Sequence, residues 1–171
     1  MTTPIHKSTI GVMIRQAEAL QAIVAKGREH LGADADAFIN ERLTEDMLPF
    51  SFQIRAVHNS SAINLDALRS GQAGPPADRD ITTYAELEAL LADAIDALKA
   101  VTPEELDQLL DNDVIFALGD FKIPFKGLGF LNSFALPNFY FHVTTAYNLL
   151  RRKGVDIGKR DFLGAMDLNM G

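Results

Sequence analysis

Apolar residues recur at intervals of three and four positions along much of the chain, a spacing that predicts amphipathic helices. The first such stripe consists of Ile10, Met13, Ala17, Leu20 and Val24. It predicts a helix that ends near Gly32. Residues 33–41 then form a polar connection with room for a short turn of helix.

A second stripe begins after Thr44 and keeps the helical spacing as far as Gly71. Its inward positions are Met47, Phe50, Ile54, Val57, Ser61, Leu65 and Leu68. Pro49 is expected in the opening turn, where the missing N–H costs little. The segment 70–80, SGQAGPPADRD, is rich in Gly and Pro and predicts a loop.

The start of a third helix is marked by Thr83 and Glu86, which have the spacing of a capping box. Its apolar stripe consists of Tyr84, Leu87, Leu91, Ala94 and Leu98. The same kind of signal returns at Thr102, Pro103 and Glu105, where a cap, a proline and an acid predict a short helix that runs through Leu110.

Two apolar runs flank Gly119 and Asp120 in the segment VIFALGDFKIPF, which predicts a β-hairpin. Pro124 restricts the second strand to the edge of a sheet. Residues 127–154 predict the last helix, interrupted or kinked at Pro137. Beyond it, the apolar residues Phe162, Leu163 and Leu168 suggest a tail that packs on the body of the protein.

Length and composition narrow the class of protein. A chain of 171 residues with 47% hydrophobic residues can bury one substantial core, so we expect a single domain spanning residues 1–171. A net charge of −7 opposes nucleic acid and anionic lipid as main partners. The N-terminus lacks the apolar segment of a signal peptide and no run approaches a membrane span, so we expect a cytoplasmic protein.

The chemistry of any site is limited by the absence of cysteine, which leaves imidazole and oxygen as metal ligands. Asn138 and His142 lie four positions apart on the apolar last helix and therefore share one face. His58 lies on the inward flank of the second helix. Facing helices of a bundle build metal and small-molecule sites from such residues.

A structural role for these residues remains open. The two histidines could hydrogen bond to each other, to Asn138, to Ser61 or to a buried water, and Asn138 after a proline could cap backbone groups. No phosphate-binding loop, HExxH or GxSxG motif is present. The side chains of Asp66, Asp93 and Asp96 have the spacing of a solvated helix face. Asp120 and Asp161 are loop acids with the freedom to fold over a pocket.

Aromatic residues surround more of the last helix than one core-facing stripe requires. They are Phe130, Phe134, Phe139, Tyr140, Phe141 and Tyr147. Exposed aromatic rings are enriched in interface cores, so we expect a homodimer centred near Tyr140 or Phe141. The alternative is that Phe162 and Leu163 fold back and cover these rings within the same chain.

With these motifs in view, the chain resembles an uncharacterised bacterial family of the DinB/YfiT-like superfamily. The similar segments cover nearly the whole chain and are LTEDMLPFSFQIRAVHNSS, TTYAELEALL and ALPNFYFHVTTAYNLLRRKGVDIGKRDFLG. The resemblance implies an all-α, antiparallel four-helix bundle, often dimeric, here with a small β-hairpin between the third and fourth helices.

The resemblance also implies a metal site. Metal-binding members use one histidine on the second helix and an HxxxH pair on the fourth, positions that His58, Asn138 and His142 occupy in this sequence. Asn138 therefore replaces an imidazole with a weaker oxygen ligand, so the affinity for zinc or nickel should fall and an oxygen-tolerant ion, or no ion, is favoured. The candidate divalent metals are Zn, Ni, Mn and Fe. The implied activity is a metal-dependent hydrolase or thiol transferase. The alternative is a non-enzymatic homodimer that binds a small ligand around a degenerate metal site.

Overall fold

The computed structural model describes residues 3–169 as a mostly helical chain with a small three-stranded sheet. The α-helices are α1 (Pro4–Ser8), α2 (Ile10–Leu31), α3 (Ala35–Phe38), α4 (Phe50–His58), α5 (Asn64–Ser70), α6 (Tyr84–Ala100), α7 (Pro103–Leu109), α8 (Gly127–Phe130), α9 (Leu136–Arg152) and α10 (Lys159–Leu163). A 3₁₀ turn, Gly32–Asp34, links α2 to α3. Two π-helical turns, Asn59–Ile63 and Leu131–Ala135, join α4 to α5 and α8 to α9.

The longest helices pack around one hydrophobic core. Helix α2 contacts α6 and α9, and α4 contacts the same two helices from the other side. The predicted stripe of the first long helix is buried in full, and so are the inward residues of α6. The periodic spacing of apolar residues therefore predicts which face of each helix is buried.

Both predicted helix starts are confirmed by their caps. The Thr83 hydroxyl accepts a hydrogen bond from the backbone N–H of Glu86, whose carboxylate accepts one from the N–H of Thr83. Thr102 caps α7 in the same way through the N–H of Glu105. Each cap satisfies backbone donors that have no partner inside the helix.

The second long helix differs from its prediction at two points. It begins at Phe50, with Pro49 as the N-cap residue rather than within the first turn. It is also interrupted by the π-helical turn Asn59–Ile63, directly after His58. Ser61 stabilises this turn, because its hydroxyl is placed to donate to the carbonyl oxygens of Val57 at 2.8 Å and His58 at 3.2 Å.

The predicted hairpin is present as the antiparallel strands β2 (Asp113–Leu118) and β3 (Phe121–Lys126). Pro124 lies in β3, which is an edge strand as expected. The short strand β1 (Gln72–Ala73) pairs with β2 in parallel and was not predicted. A two-residue strand in a Gly/Pro-rich segment carries no periodicity by which a sequence could reveal it.

The last long helix is irregular just before Pro137, where the π-helical turn Leu131–Ala135 joins α8 to α9. A proline has no N–H to donate to the carbonyl of Ser133, four residues earlier, so the α-helical ladder is interrupted there. The expected kink therefore takes the form of a widened turn.

The C-terminal tail packs on the body of the protein, as predicted. Val155 and Ile157 are buried, and α10 lies against α2. The Gln16 side-chain amide donates a hydrogen bond of 2.7 Å to the carbonyl oxygen of Phe162. In residues 3–169 we find no helix whose length and apolar character would let it cross a membrane.

Gly27 marks the closest approach of three helices. A Cβ atom at this position would lie 2.6 Å from the hydroxyl oxygen of Tyr84 on α6 and 2.7 Å from a methyl carbon of Leu150 on α9. The Tyr84 hydroxyl also donates to the carbonyl oxygen of Val24 at 2.9 Å. A side chain at Gly27 would force the buried Tyr84 hydroxyl and the Leu150 methyl group to move.

We therefore expect Gly27→Ala to destabilise the protein by roughly 1 to 2 kcal/mol, because overpacking outweighs the helix propensity of alanine. Gly11→Ala is the matched control on the same helix. Its Cβ would meet only the carbonyl oxygen of His6, at 3.6 Å. This control should gain up to about 0.5 kcal/mol. Urea denaturation measures both, and equal effects of the two substitutions would contradict the close contact at Gly27.

Candidate functional site

His58 is the last residue of α4 and is buried, with 5% of its surface exposed. Its ring Nε2 lies 2.6 Å from Oδ2 of Asp93 on α6. The Asp93 side chain is 69% exposed, so the carboxylate stands at the protein surface and reaches inward to the imidazole. Sequence reasoning placed Asp93 on a solvated face and missed this contact.

The hydrogen bond to Asp93 determines which ring nitrogen of His58 carries the proton in the neutral imidazole. A carboxylate only accepts, so Nε2 donates and Nδ1 is left with a lone pair. Nδ1 has no hydrogen-bond partner among residues 3–169. In this tautomer the Nδ1 lone pair of His58 is oriented to accept a hydrogen bond.

A cavity of about 130 Å³ lies beside His58, between α4, the π-helical turn, α6 and the loop that follows β1. We call it the His58 pocket. Its lining residues are Arg55, His58, Asn59, Ile63, Gly74, Pro75, Pro76, Ala77, Arg79 and Leu90. The pocket therefore combines an imidazole and two guanidinium groups with apolar walls.

His142 on α9 has a separate environment. Its Nδ1 lies 2.8 Å from Oε1 of Gln53, and the Gln53 amide nitrogen donates to the carbonyl oxygen of Leu48 at 2.8 Å. The rings of Phe52 and Phe141 meet the imidazole edge-on. Desolvation by burial lowers the pKa of His142 to about 4, so the ring is neutral at pH 7.

Asn138 bonds to the backbone of the π-helical turn Leu131–Ala135. Its side-chain nitrogen donates to the carbonyl oxygen of Phe134 at 2.8 Å, next to the irregular turn before Pro137. The alternative expectation, that Asn138 caps freed backbone N–H groups, is therefore wrong, because its side chain donates to a carbonyl oxygen and α9 has no side-chain cap. The amide oxygen of Asn138 has no hydrogen-bond partner in the described part of the chain.

The hydrogen bonds of residues 3–169 do not join the three predicted metal ligands to one another. His58 bonds to α6, His142 to α4 and Asn138 to the π-helical turn Leu131–Ala135. Gln53, the partner of His142, and His58 are five positions apart on α4, which separates them by about 140° around the helix axis. By donor type the three residues suit a divalent cation, since each imidazole keeps one ring nitrogen outside these hydrogen bonds.

No group of three His, Asp or Glu residues within residues 3–169 has an arrangement that could hold a metal ion. Asn138 is not one of these residue types, so this observation does not test its amide oxygen as a ligand. Metal binding by His58, Asn138 and His142 stays a prediction.

Asp120 and Asp161 were both expected in loops, but Asp161 lies in the first turn of α10. Asp161 pairs with Lys26 at 2.6 Å and accepts a hydrogen bond from the N–H of Gly158, which lowers its pKa. Asp120 lies at the turn of the β2–β3 hairpin. Neither acid lines the cavity at His58.

Comparisons with known proteins agree on the family. A family model described as a domain of unknown function, DUF1993, matches residues 5–163. The crystal structure of a DinB family member protein from Shewanella denitrificans is similar over 98% of this chain and 96% of that one, with 26% sequence identity and a TM-score of 0.80. No curated protein matches the sequence significantly. The chain therefore belongs to the DUF1993 family and has a close structural relative among DinB family proteins.

Proposed function

We propose that the fold is an antiparallel four-helix bundle of the DinB type. Its members would be α2, the α4–α5 segment, α6 and the α8–α9 segment, with the β2–β3 hairpin between the third and the fourth. The contacts of α2 and α4 with both α6 and α9 support this arrangement. The likeness to a DinB family member supports it independently.

We propose that the function of this bundle is to bind a small molecule in the His58 pocket and to exchange a proton with it. The single observation that carries the proposal is the buried imidazole of His58, held at 2.6 Å by Asp93 on the wall of a cavity. A buried imidazole oriented by a carboxylate beside a cavity is an arrangement that general acid–base chemistry uses.

Each residue has a distinct role in this proposal. Asp93 orients the imidazole through Nε2 and stabilises the imidazolium when it forms. His58 Nδ1 accepts the proton of the bound molecule. Leu90 and Ile63 exclude water from one side of the pocket, which strengthens electrostatic interactions inside it.

We expect a screen of small acids, amines and neutral carbonyl compounds to find molecules that bind in the His58 pocket. Chemical-shift mapping by ¹H–¹⁵N NMR should place the perturbed amides at Asn59, Leu90 and residues 74–79. His58→Asn should weaken binding by about tenfold, because a hydrogen bond to a bound molecule contributes on the order of 1.5 kcal/mol.

His30→Asn is the matched control, since His30 is an exposed histidine on α2. It should leave binding unchanged. Binding that maps elsewhere, or that is equally strong in His58→Asn, would contradict the proposed site. The ¹⁵N shifts of the imidazole report its tautomer, and a proton on Nδ1 in the free protein would contradict the proton-acceptor role.

A second candidate is a divalent-metal site formed by His58, Asn138 and His142. The observation in its favour is that each imidazole has one ring nitrogen hydrogen bonded to a side-chain oxygen, an environment typical of metal-ligating histidines. Such a cation, among Zn, Ni, Mn and Fe, would supply Lewis-acid chemistry of the hydrolase or thiol-transferase type. In this chain, the amide oxygen of Asn138 would be the weak ligand.

We expect Asn138→His to strengthen divalent-metal binding, most for nickel, copper and zinc, because it adds an imidazole nitrogen to the set. Isothermal titration calorimetry on untagged protein measures the affinity. His58→Ala in the same background should remove the gain. Equal, negligible binding by the wild type and Asn138→His would exclude the metal site.

We propose that the protein assembles as a homodimer through the exposed face of α9. The alternative was that the C-terminal tail covers the aromatic rings of α9 within the same chain. The ring of Phe162 does pack against Tyr147, with 5.5 Å between the ring centroids, but Phe141 keeps 56% of its surface exposed. An exposed phenylalanine costs free energy in water, and aromatic residues are enriched at interface cores.

Static light scattering should give about twice the monomer mass of 18.7 kDa at micromolar concentration. Phe141→Glu should shift the protein to the monomer, because a charge in an apolar interface is costly. Leu168→Glu, at an exposed residue of the tail, is the control and should leave the mass unchanged. A monomeric wild type under these conditions would rule the dimer out.

A further inference from the structure

Arg55 lines the His58 pocket and carries a buried hydrogen-bond donor with no partner. Its Nη2 donates to the carbonyl oxygen of Ala77, and its guanidinium lies over the ring of Phe52 at 5.7 Å. Its Nε is buried and makes no hydrogen bond within the described residues. Buried donors are normally satisfied, so a vacant one on a permanently charged group points to a missing acceptor.

The geometry of the guanidinium limits what that acceptor is. The Nε and Nη2 donors lie on one edge of the planar group, and Nη2 has a second hydrogen beyond the one that meets Ala77. An edge of this kind suits the two oxygens of a carboxylate, or two oxygens of a phosphate. Asp78 is a poor occupant, because its oxygen lies 3.5 Å from Nη2 and its side chain is fully exposed.

A second cation faces the same space. Arg79 lines the pocket and makes no hydrogen bond or ion pair within residues 3–169. Asp78 lies 3.5 Å from Arg55, and Asp93 is engaged with His58. Asp80, Glu86 and Asp93 line a neighbouring cavity together with Arg79. The pocket therefore has two guanidinium groups available for one anionic group.

The rest of the pocket favours an organic anion. Pro75, Pro76, Ile63 and Leu90 provide apolar walls. At about 130 Å³ the cavity is smaller than the sites that enclose drug-sized ligands, so it fits a molecule of few atoms. A doubly charged phosphate would meet the carboxylates of Asp78 and Asp93 at the pocket's edges, whereas a singly charged carboxylate meets less repulsion.

We infer that the His58 pocket binds a small monocarboxylic acid, whose carboxylate pairs with the guanidinium of Arg55 while Arg79 neutralises its charge. This inference rests on the proposed function and names its ligand class. In this arrangement the short apolar body of the acid lies against the proline-rich loop and Leu90. The opposite side of that body faces His58, the proposed proton acceptor.

The experiment compares isobutyrate, its uncharged analogue isobutyramide, and inorganic phosphate on the full chain by ¹H–¹⁵N NMR titration at pH 7. Isobutyrate should perturb the amides around His58 and bind at least tenfold more tightly than isobutyramide. Phosphate should bind more weakly than isobutyrate at this site.

Variants separate ligand recognition from folding. Arg55→Lys keeps the charge but removes the planar edge, and it should weaken isobutyrate binding by at least tenfold. Because Arg55 also holds the loop at Ala77, Arg79→Gln provides a second test that leaves that bond intact, with an expected loss of about threefold. Arg15→Gln, on α2 and outside the pocket, is the charge-matched control and should change nothing.

The outcomes distinguish the two proposals. Equal binding of isobutyrate and isobutyramide in the pocket would overturn the carboxylate inference and leave the small-molecule site in place. Tighter binding of phosphate would overturn the choice of carboxylate. Absence of perturbation around His58 by isobutyrate overturns the inference, and if the wider screen also finds no binder there, the proposed function fails with it.

Discussion

The π-helical turn Asn59–Ile63 allows the second long helix to bury polar side chains that a purely apolar core would exclude. Of the nine buried polar residues within residues 3–169, five lie in or directly beside this turn: His58, Asn59, Ser60, Ser61 and Asn64. Burying such groups without partners would cost several kcal/mol in total. Some of these buried groups find hydrogen-bond partners in the turn and around it. His58 bonds to Asp93, and the Asn59 amide donates to the carbonyl oxygen of Gly74 in the loop.

The position of α6 is fixed at the end where the loop of the His58 pocket enters it. The backbone N–H of Tyr84 donates to Asp36 at 2.7 Å, its hydroxyl donates to Val24, and its ring stacks on Phe50. Burial raises the pKa of Tyr84, so the hydroxyl keeps its proton and remains a donor. These contacts fix the position of α6 along its axis relative to α2 and α4. The short hydrogen bond between Asp93 on α6 and His58 on α4 depends on that position.

Helix positions, caps and the hairpin could be predicted because they depend on local spacing. Thr83 and Glu86 indicate a helix start because they have the spacing of a capping box. Apolar residues at intervals of three and four positions indicate the buried face of a helix. The partner of His58 could not be predicted in this way, since Asp93 is 35 positions away and mostly exposed. The irregular turn after His58 has a local signal in the sequence, the run Asn59–Ser61. These three residues are poor helix formers whose side chains compete for backbone hydrogen bonds inside an apolar helix.

The loop over the His58 pocket is anchored at both ends, by the pairing of β1 with β2 and by the capping box at Thr83. A segment between two fixed ends can change in length at small cost, since doubling a loop adds only about 0.6 kcal/mol of closure entropy. Pro75, Pro76 and Arg79 can therefore be substituted without repacking the helices. For the proposed ligand site, this separates the residues that would set ligand preference from the helices that hold His58 and Asp93 in place.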